Sequence, residues 1–298
     1  MIELMNLNQI VIYVLLTTLG LSLGSYAGAT VWRLRTRALN QDKKDGKNID
    51  ATEYKRLKKL INTSLFTDRS RCLNCTYILK WYDLIPLISW ISLGGKCRKC
   101  RKPIGYLEPM IEFGVVAYYI LSYVFWPYPL TNGLEIARFV LWLIAGVPLA
   151  ISFAYDAKWS LLDRSVSYVL IVIGLCSATL VVIGSHNAFA TTLSIIGSAT
   201  ILSGLYYLLY KVSHGRWVGG GDYVLALGLA LLLADYRLAY IALFAANLVG
   251  CIVVLPGIMT KKLKRKSHVP FGPLLIVGFV IAGLAGNYLL NILFYGIV

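Results

Sequence analysis

Two Cys-x-x-Cys pairs carry the most specific chemistry in this sequence. Cys72 and Cys75 form the first and Cys97 and Cys100 the second, with 21 residues between the pairs. Each pair can supply one edge of a tetrahedron, and the intervening loop brings the edges together, the pattern of a four-thiolate zinc site. Four thiolates leave no coordination position for a substrate, so the expected Zn2+ is structural. Lys96, Arg98, Lys99 and Arg101 flank the second pair; their charge offsets the thiolates and lowers thiol pKa values. The competing reading, two disulfides, needs an oxidising compartment, and the orientation argued below puts this loop in the cytoplasm. Cys176 and Cys251 fall inside long apolar runs and read as packing residues.

The second chemistry is that of paired carboxylates. Asp156 closes one apolar run, and Asp222 opens another directly after Gly219, Gly220 and Gly221. Two carboxyl groups held close together cannot both ionise cheaply, so one keeps a proton while the other acts as base. The base activates a water and the acid protonates the carbonyl or the leaving amine, which is aspartic-protease chemistry. The glycines remove side-chain bulk next to Asp222 and would let an extended substrate backbone approach, which makes Gly219, Gly220 and Gly221 candidate substrate-binding positions. The plainer alternative is that each Asp only caps a helix or pairs with Lys158 or Arg216. Taken together, the pair, the glycine run and a common depth favour the dyad. Asp163 reads as a helix N-cap or a substrate contact, with the cap preferred. Glu108 and Glu112 open a further apolar run one turn apart, and Glu112 is a second candidate substrate contact.

These groups need elements to hold them. The chain is 58% hydrophobic and 14% charged, against about 25% charged in soluble domains. Several windows reach the ~20 apolar residues that cross a bilayer, and the runs are continuous rather than alternating, which excludes a barrel. The expected fold is an all-α polytopic membrane protein with about eight transmembrane helices and a small zinc-binding module between helices 1 and 2. The spans are read at 8–32, 108–126, 135–155, 165–184, 189–210, 222–235, 237–256 and 271–295. The first is read as a retained helix, because no small-residue cleavage site follows it. As domains, this gives helix 1 over 8–34, a loop over 35–107 with the module at 69–103, and helices 2–8 over 108–298.

Residues 33–103 hold 18 of the 29 Lys and Arg but 6 of the 14 Asp and Glu. Directly after a span, such a block reads as a cytoplasmic loop rather than a nucleic-acid surface. Strict alternation then places Lys158, Arg164, Lys211, Arg216, Lys261, Lys262, Lys264, Arg265 and Lys266 on the same side, with both termini outside and both Asp156 and Asp222 at the cytoplasmic edge. Gln41–Asp50 reads as a flexible segment and 51–62 as a short amphipathic helix. Gly20, Gly24 and Gly28 recur every four residues, a spacing that lets another helix approach closely. Gly20-Leu21-Ser22-Leu23-Gly24 matches GxSxG but lacks the strand-to-helix elbow and a nearby His. No HExxH or dinucleotide glycine motif occurs, and His186, His214 and His268 are scattered among loops.

Together these segments resemble the type IV prepilin peptidases, the bifunctional leader peptidase and N-methyltransferase family of GxGD-type intramembrane aspartyl proteases. The likeness runs through Gly24-Ser25 with Arg33, then RSRCLNC, WYDLIPLISW, GGKCRKCRKPI and YLEPMIE between Arg69 and Glu112. It continues through Tyr155-Asp156, the Gly219–Asp222 segment and Val269-Pro270-Phe271-Gly272-Pro273. The resemblance implies a bacterial plasma-membrane enzyme that cleaves the basic leader of prepilins or pseudopilins after a glycine. It further implies methylation of the new N-terminus from S-adenosylmethionine. Two positions depart from the family pattern: Leu161-Leu162-Asp163 stands where the family has Ile-Pro-Asp, and Asp222-Tyr223-Val224 where it has Asp-Val-Lys. They keep open a catalytically impaired scaffold that binds pilins. A small proton-coupled transporter is the other rival, opposed by acids at a membrane edge rather than the midplane.

Overall fold

The computed structural model describes residues 7–61, 69–260 and 269–295. Lys261, Lys262, Lys264, Arg265, Lys266 and His268 of the sequence reading lie outside the described residues. The chain divides into two compact units, Met1–Ile120 and Leu121–Val298.

In the first unit, helix α1 (Leu7–Lys44) has 38 residues, about 57 Å at 1.5 Å per residue and nearly twice the ~30 Å hydrocarbon thickness. The helix therefore does not stop where the charges begin, as the sequence reading had it. It continues through Arg33, Arg35 and Arg37 because an apolar stripe continues with it: Val31, Leu34 and Leu39 are all buried. Helix α2 (Ala51–Leu57) folds back onto this extension. Its Leu57 is buried, and Arg35 Nη2 meets Glu53 Oε2 at 2.6 Å. Asp50 starts α2 by accepting N–H bonds from Thr52 and Glu53 at 2.8 and 3.1 Å. The expected amphipathic segment is therefore present, whereas Gln41–Lys44, expected to be flexible, is helical. A short apolar turn, α3 (Ile88–Ser92), precedes α4 (Leu107–Phe125).

The three glycines of α1 face α4. A Cβ on Gly24 would lie 2.6 Å from Glu112 Cα, and one on Gly20 would lie 3.0 Å from Val116 Cα. At Gly28 the nearest atom is 3.6 Å away, an ordinary contact. Close backbone approach is the reason small residues recur in membrane helix pairs. Gly24→Val is expected to destabilise the protein in detergent by about 2 kcal/mol, the scale of overpacking, while Gly28→Ala leaves thermal unfolding close to the parent. Equal tolerance at both positions would contradict this crossing.

The second unit is built from α5 (Gly133–Trp159), α6 (Arg164–Ile183), α7 (Ala188–Ala199), α8 (Leu205–Val212), α9 (Asp222–Leu233), α10 (Tyr236–Met259) and α11 (Gly272–Tyr295). A π-helical turn, Thr200–Gly204, joins α7 to α8. Among the described residues, seven helices, counting α7 to α8 as one, are long and apolar enough to cross a membrane. The remaining expected span, the sixth at 222–235, is the 12-residue α9, about 18 Å long. Ten of its residues are buried, so it is solvated by protein rather than lipid and need not match a bilayer's thickness. It ends at Ala234 in a left-handed conformation, and Asp235 caps α10 through Arg237 N at 2.7 Å. This tight turn separates the spans read at 222–235 and 237–256.

Candidate functional sites: a thiolate quartet and two glycine-held aspartates

The cysteine module consists of two copies of one small turn. Cys72 N–H donates to Tyr77 O and Thr76 N–H to Cys72 O; 25 positions later, Cys97 N–H donates to Lys102 O and Arg101 N–H to Cys97 O. The flanking bridges, Arg71 with Ile78 and Lys96 with Pro103, repeat with the same offset. Thr76 and Arg101 both take positive φ, 58° and 56°. Each copy thus turns its two thiols inward. Cys72 and Cys100 Sγ are 3.9 Å apart, as are Cys75 and Cys97, and all four Sγ atoms lie within 4.8 Å of one another. A disulfide needs about 2.05 Å. Tetrahedral Zn–S bonds of about 2.3 Å place sulfurs about 3.8 Å apart, so the donor set fits a four-thiolate ion. Burial pushes the Cys72 thiol up to about 12. At Cys97 burial acts in the same sense, but N–H bonds from Cys100 and Lys99 outweigh it and bring the thiol down to about 7. A metal must therefore displace protons to bind. Arg98 holds the module's loop in place through Asp83, Nε to Oδ1 at 2.7 Å.

Glu112 also belongs to the first unit. It is buried, accepts the Leu87 N–H at 2.8 Å and hydrogen-bonds Ser25. Its neighbour Glu108 accepts the Trp32 indole N–H at 2.8 Å on Oε1, while Oε2 is buried with no hydrogen-bond partner among the described residues. Both acids line a cavity of about 160 Å³ together with Trp32, Trp90, Arg33 and Leu87.

In the second unit, Asp156 and Asp222 are both buried, with 4% and 8% of their surface exposed. Each carboxylate is held by one glycine amide. Gly272 N–H donates to Asp156 Oδ2 at 2.8 Å, a contact 116 residues long in sequence. Gly219 N–H donates to Asp222 Oδ2 at 2.8 Å. A Cβ at 272 would lie 2.8 Å from Asp156 Oδ2, so any larger residue there must push the carboxylate aside. Leu162 joins the two segments: its side chain lies 3.3 Å from the Cβ position of Gly272 and 2.7 Å from that of Gly221. The two acids are within electrostatic reach of each other.

The glycine run is thus explained by this chain's own packing. Gly221 makes room for Leu162, Gly220 faces the Tyr210 ring at 3.5 Å, and Gly219 faces the Asp222 carboxylate at 3.1 Å. Asp163 has the preferred capping role, its Oδ1 accepting from Ser165 N at 2.9 Å and Val166 N at 3.2 Å. Sequence reasoning did not single out Leu162, Gly272 as the Asp156 donor, or Tyr206. In the sequence the FGP segment carries only a family likeness, and a donor so far along the chain leaves no local signal.

Among the described residues, seven helices of membrane-crossing length and a four-cysteine module between the first two define the class, a polytopic membrane protein with a metal-binding module. Residues 18–126 match the family described as the Bacterial Peptidase A24 N-terminal domain. The prepilin leader peptidase/N-methyltransferase of Legionella pneumophila is 26% identical over 283 residues, 94% of this chain and 93% of its own. That of Burkholderia pseudomallei is 30% identical over 223 residues, 72% of this chain and 66% of its own. The type 4 prepilin-like proteins leader peptide-processing enzyme of Escherichia coli is 27% identical over 278 residues, 93% of each chain. No solved structure matches. The chain belongs to the prepilin leader peptidase/N-methyltransferase family.

Proposed function

We propose that this protein cleaves the basic leader from prepilins or pseudopilins with Asp156 and Asp222 as its catalytic pair. The observation that carries the reading is the convergence of two buried acids, each held by a glycine amide, around Leu162. With Oδ2 of each acid committed to an amide, Oδ1 of each is the oxygen offered to water and substrate. One carboxylate takes a proton from water as the water oxygen adds to the scissile carbonyl carbon. The other, protonated, donates to the carbonyl oxygen, and the proton gained by the base then passes to the leaving amine as the C–N bond breaks. The backbone groups of Gly219, Gly220 and Gly221, and the Asp163 turn, border the segment where the leader would lie. Both acids sit at the cytoplasmic edge of a bacterial plasma membrane in this reading, with the module on the same side, both termini outside, and the pilin helix entering from lipid.

The second activity in the relatives' name, N-methyl transfer, has a candidate place in the first unit. The cavity beside Trp32 and Trp90 is lined by Glu108, whose buried Oε2 has no hydrogen-bond partner among the described residues, and by the buried Glu112. Carboxylates next to indole faces suit a sulfonium cation and an adenine ring. S-adenosylmethionine supplies the methyl group when bound; Glu108 and Glu112 would hold its cationic centre or the pilin's new terminal amine.

The test is cleavage of a purified prepilin by the zinc-loaded protein in proteoliposomes, followed by mass spectrometry. Release of the leader after its glycine is expected. An uncut prepilin that nevertheless co-purifies with the folded, zinc-loaded protein would favour the pilin-binding scaffold, to which buried Val224, at the family's lysine position, lends some support.

A further inference from the structure

We propose that Tyr206 is a positioning residue that sets the spacing of the two aspartates, an inference that rests on the dyad reading above. Tyr206 is 4% exposed, and its ring packs on Phe271 with centroids 5.2 Å apart. Phe271 directly precedes Gly272, whose amide holds Asp156. Tyr206 also lies within electrostatic reach of Asp222, and its helix neighbours Tyr207 and Tyr210 pack on Tyr223, the residue after Asp222, with centroids 5.4 and 5.7 Å apart. One rigid ring therefore packs on the segment that fixes one acid, on a helix that packs next to the other.

The π turn is what delivers this ring. Ser198, Leu202 and Tyr206 are spaced by four and are all buried, at 0%, 1% and 4% exposure. In an unbroken α-helix, residues four apart drift by about 40° per step, so the third would swing well off the face of the first. A π turn takes an additional residue into each turn, and the one at Thr200–Gly204 cancels that drift. Two hydrogen bonds pin this face to α9: Ser198 Oγ donates to Ala230 O and Ser203 Oγ to Tyr223 O, both at 2.9 Å. π turns inside α-helices are frequent at functional sites, and here the turn keeps Tyr206 on the buried face that packs on Phe271. The neighbouring Tyr210 lies against Gly220 of the glycine loop. Because the α8 ring packs rather than hydrogen-bonds to either acid in the bonds described, the property required at 206 is an aromatic ring.

The test uses the full chain in proteoliposomes with a prepilin substrate, and in parallel an Asp156→Cys, Asp222→Cys pair with Cys176 and Cys251 replaced by Ala. Tyr206→Leu should lower kcat about a hundredfold with KM within about threefold of the parent, the signature of lost transition-state geometry. Tyr206→Phe should keep kcat within about threefold. In the cysteine pair, Tyr206→Leu should reduce oxidative cross-linking and Tyr206→Phe should not. The proposal is overturned if Tyr206→Leu leaves kcat and cross-linking at parent values, if its kcat loss only tracks loss of folded, zinc-loaded protein, or if Tyr206→Phe fails as badly. Failure of the dyad reading looks different: Asp156→Asn would then retain cleavage whatever stands at 206.

Discussion

Asp156→Asn and Asp222→Asn each lower prepilin cleavage by about a thousandfold or more, and the double variant is no worse than either single one. General acid–base groups contribute about 10²–10⁴, and residues that act as one unit lose activity together rather than additively. The substitution is chosen because Asn keeps an oxygen where Gly272 or Gly219 donates. It therefore removes the exchangeable proton without removing the anchor. Zinc content and thermal unfolding should match the parent, and leader release followed by mass spectrometry reads the loss. Retention of cleavage by either variant would remove that residue from the chemistry.

Replacing Cys97 and Cys100 with Ser releases the bound metal, one equivalent per chain, and loosens the module without disturbing the second unit. The binding free energy of a structural Zn2+ site is about 10–16 kcal/mol at neutral pH, far above what two short turns and a few buried side chains supply. Elemental analysis and limited proteolysis between α2 and α4 read the effect. Metal retention in the parent should also fall as the pH is lowered. Binding requires thiolates, and the Cys72 thiol, pushed up to about 12 by burial, readily takes its proton back. A parent protein that folds with no metal would contradict this.

How legible the molecule was depends on the range over which each signal acts. The thiol quartet could be read because its spacing is itself the metal's requirement, and the α1 glycines because a four-residue repeat is local. The duplication of the turn around each Cys pair could not. It lies in backbone hydrogen bonds, while the paired positions differ in type, Leu73 against Arg98 and Thr76 against Arg101. The first span read at 8–32 is too short for α1: charge fixes which side of a membrane a segment prefers but does not break a helix, and Leu34 and Leu39 keep it packed. For α9, apolarity suggested a span, but burial on all sides permits a half-length helix. Gly272, Leu162 and Tyr206 escaped notice because their defining contacts, with Asp156, Gly221 and Phe271, join segments distant in the chain, and a π turn has no composition of its own.

Oxidative cross-linking of the Asp156→Cys, Asp222→Cys pair, with Cys176 and Cys251 replaced by Ala, measures the meeting of the two acids most directly. A disulfide, or a bridge by the shortest bifunctional reagent, should form in high yield in membranes without substrate. An Asp156→Cys, Asp235→Cys control, with its second thiol at the far end of α9, should not react. If the first pair stays as unreactive as the control while the zinc module is intact, the two carboxyl groups do not share a site and the peptidase mechanism proposed here is wrong.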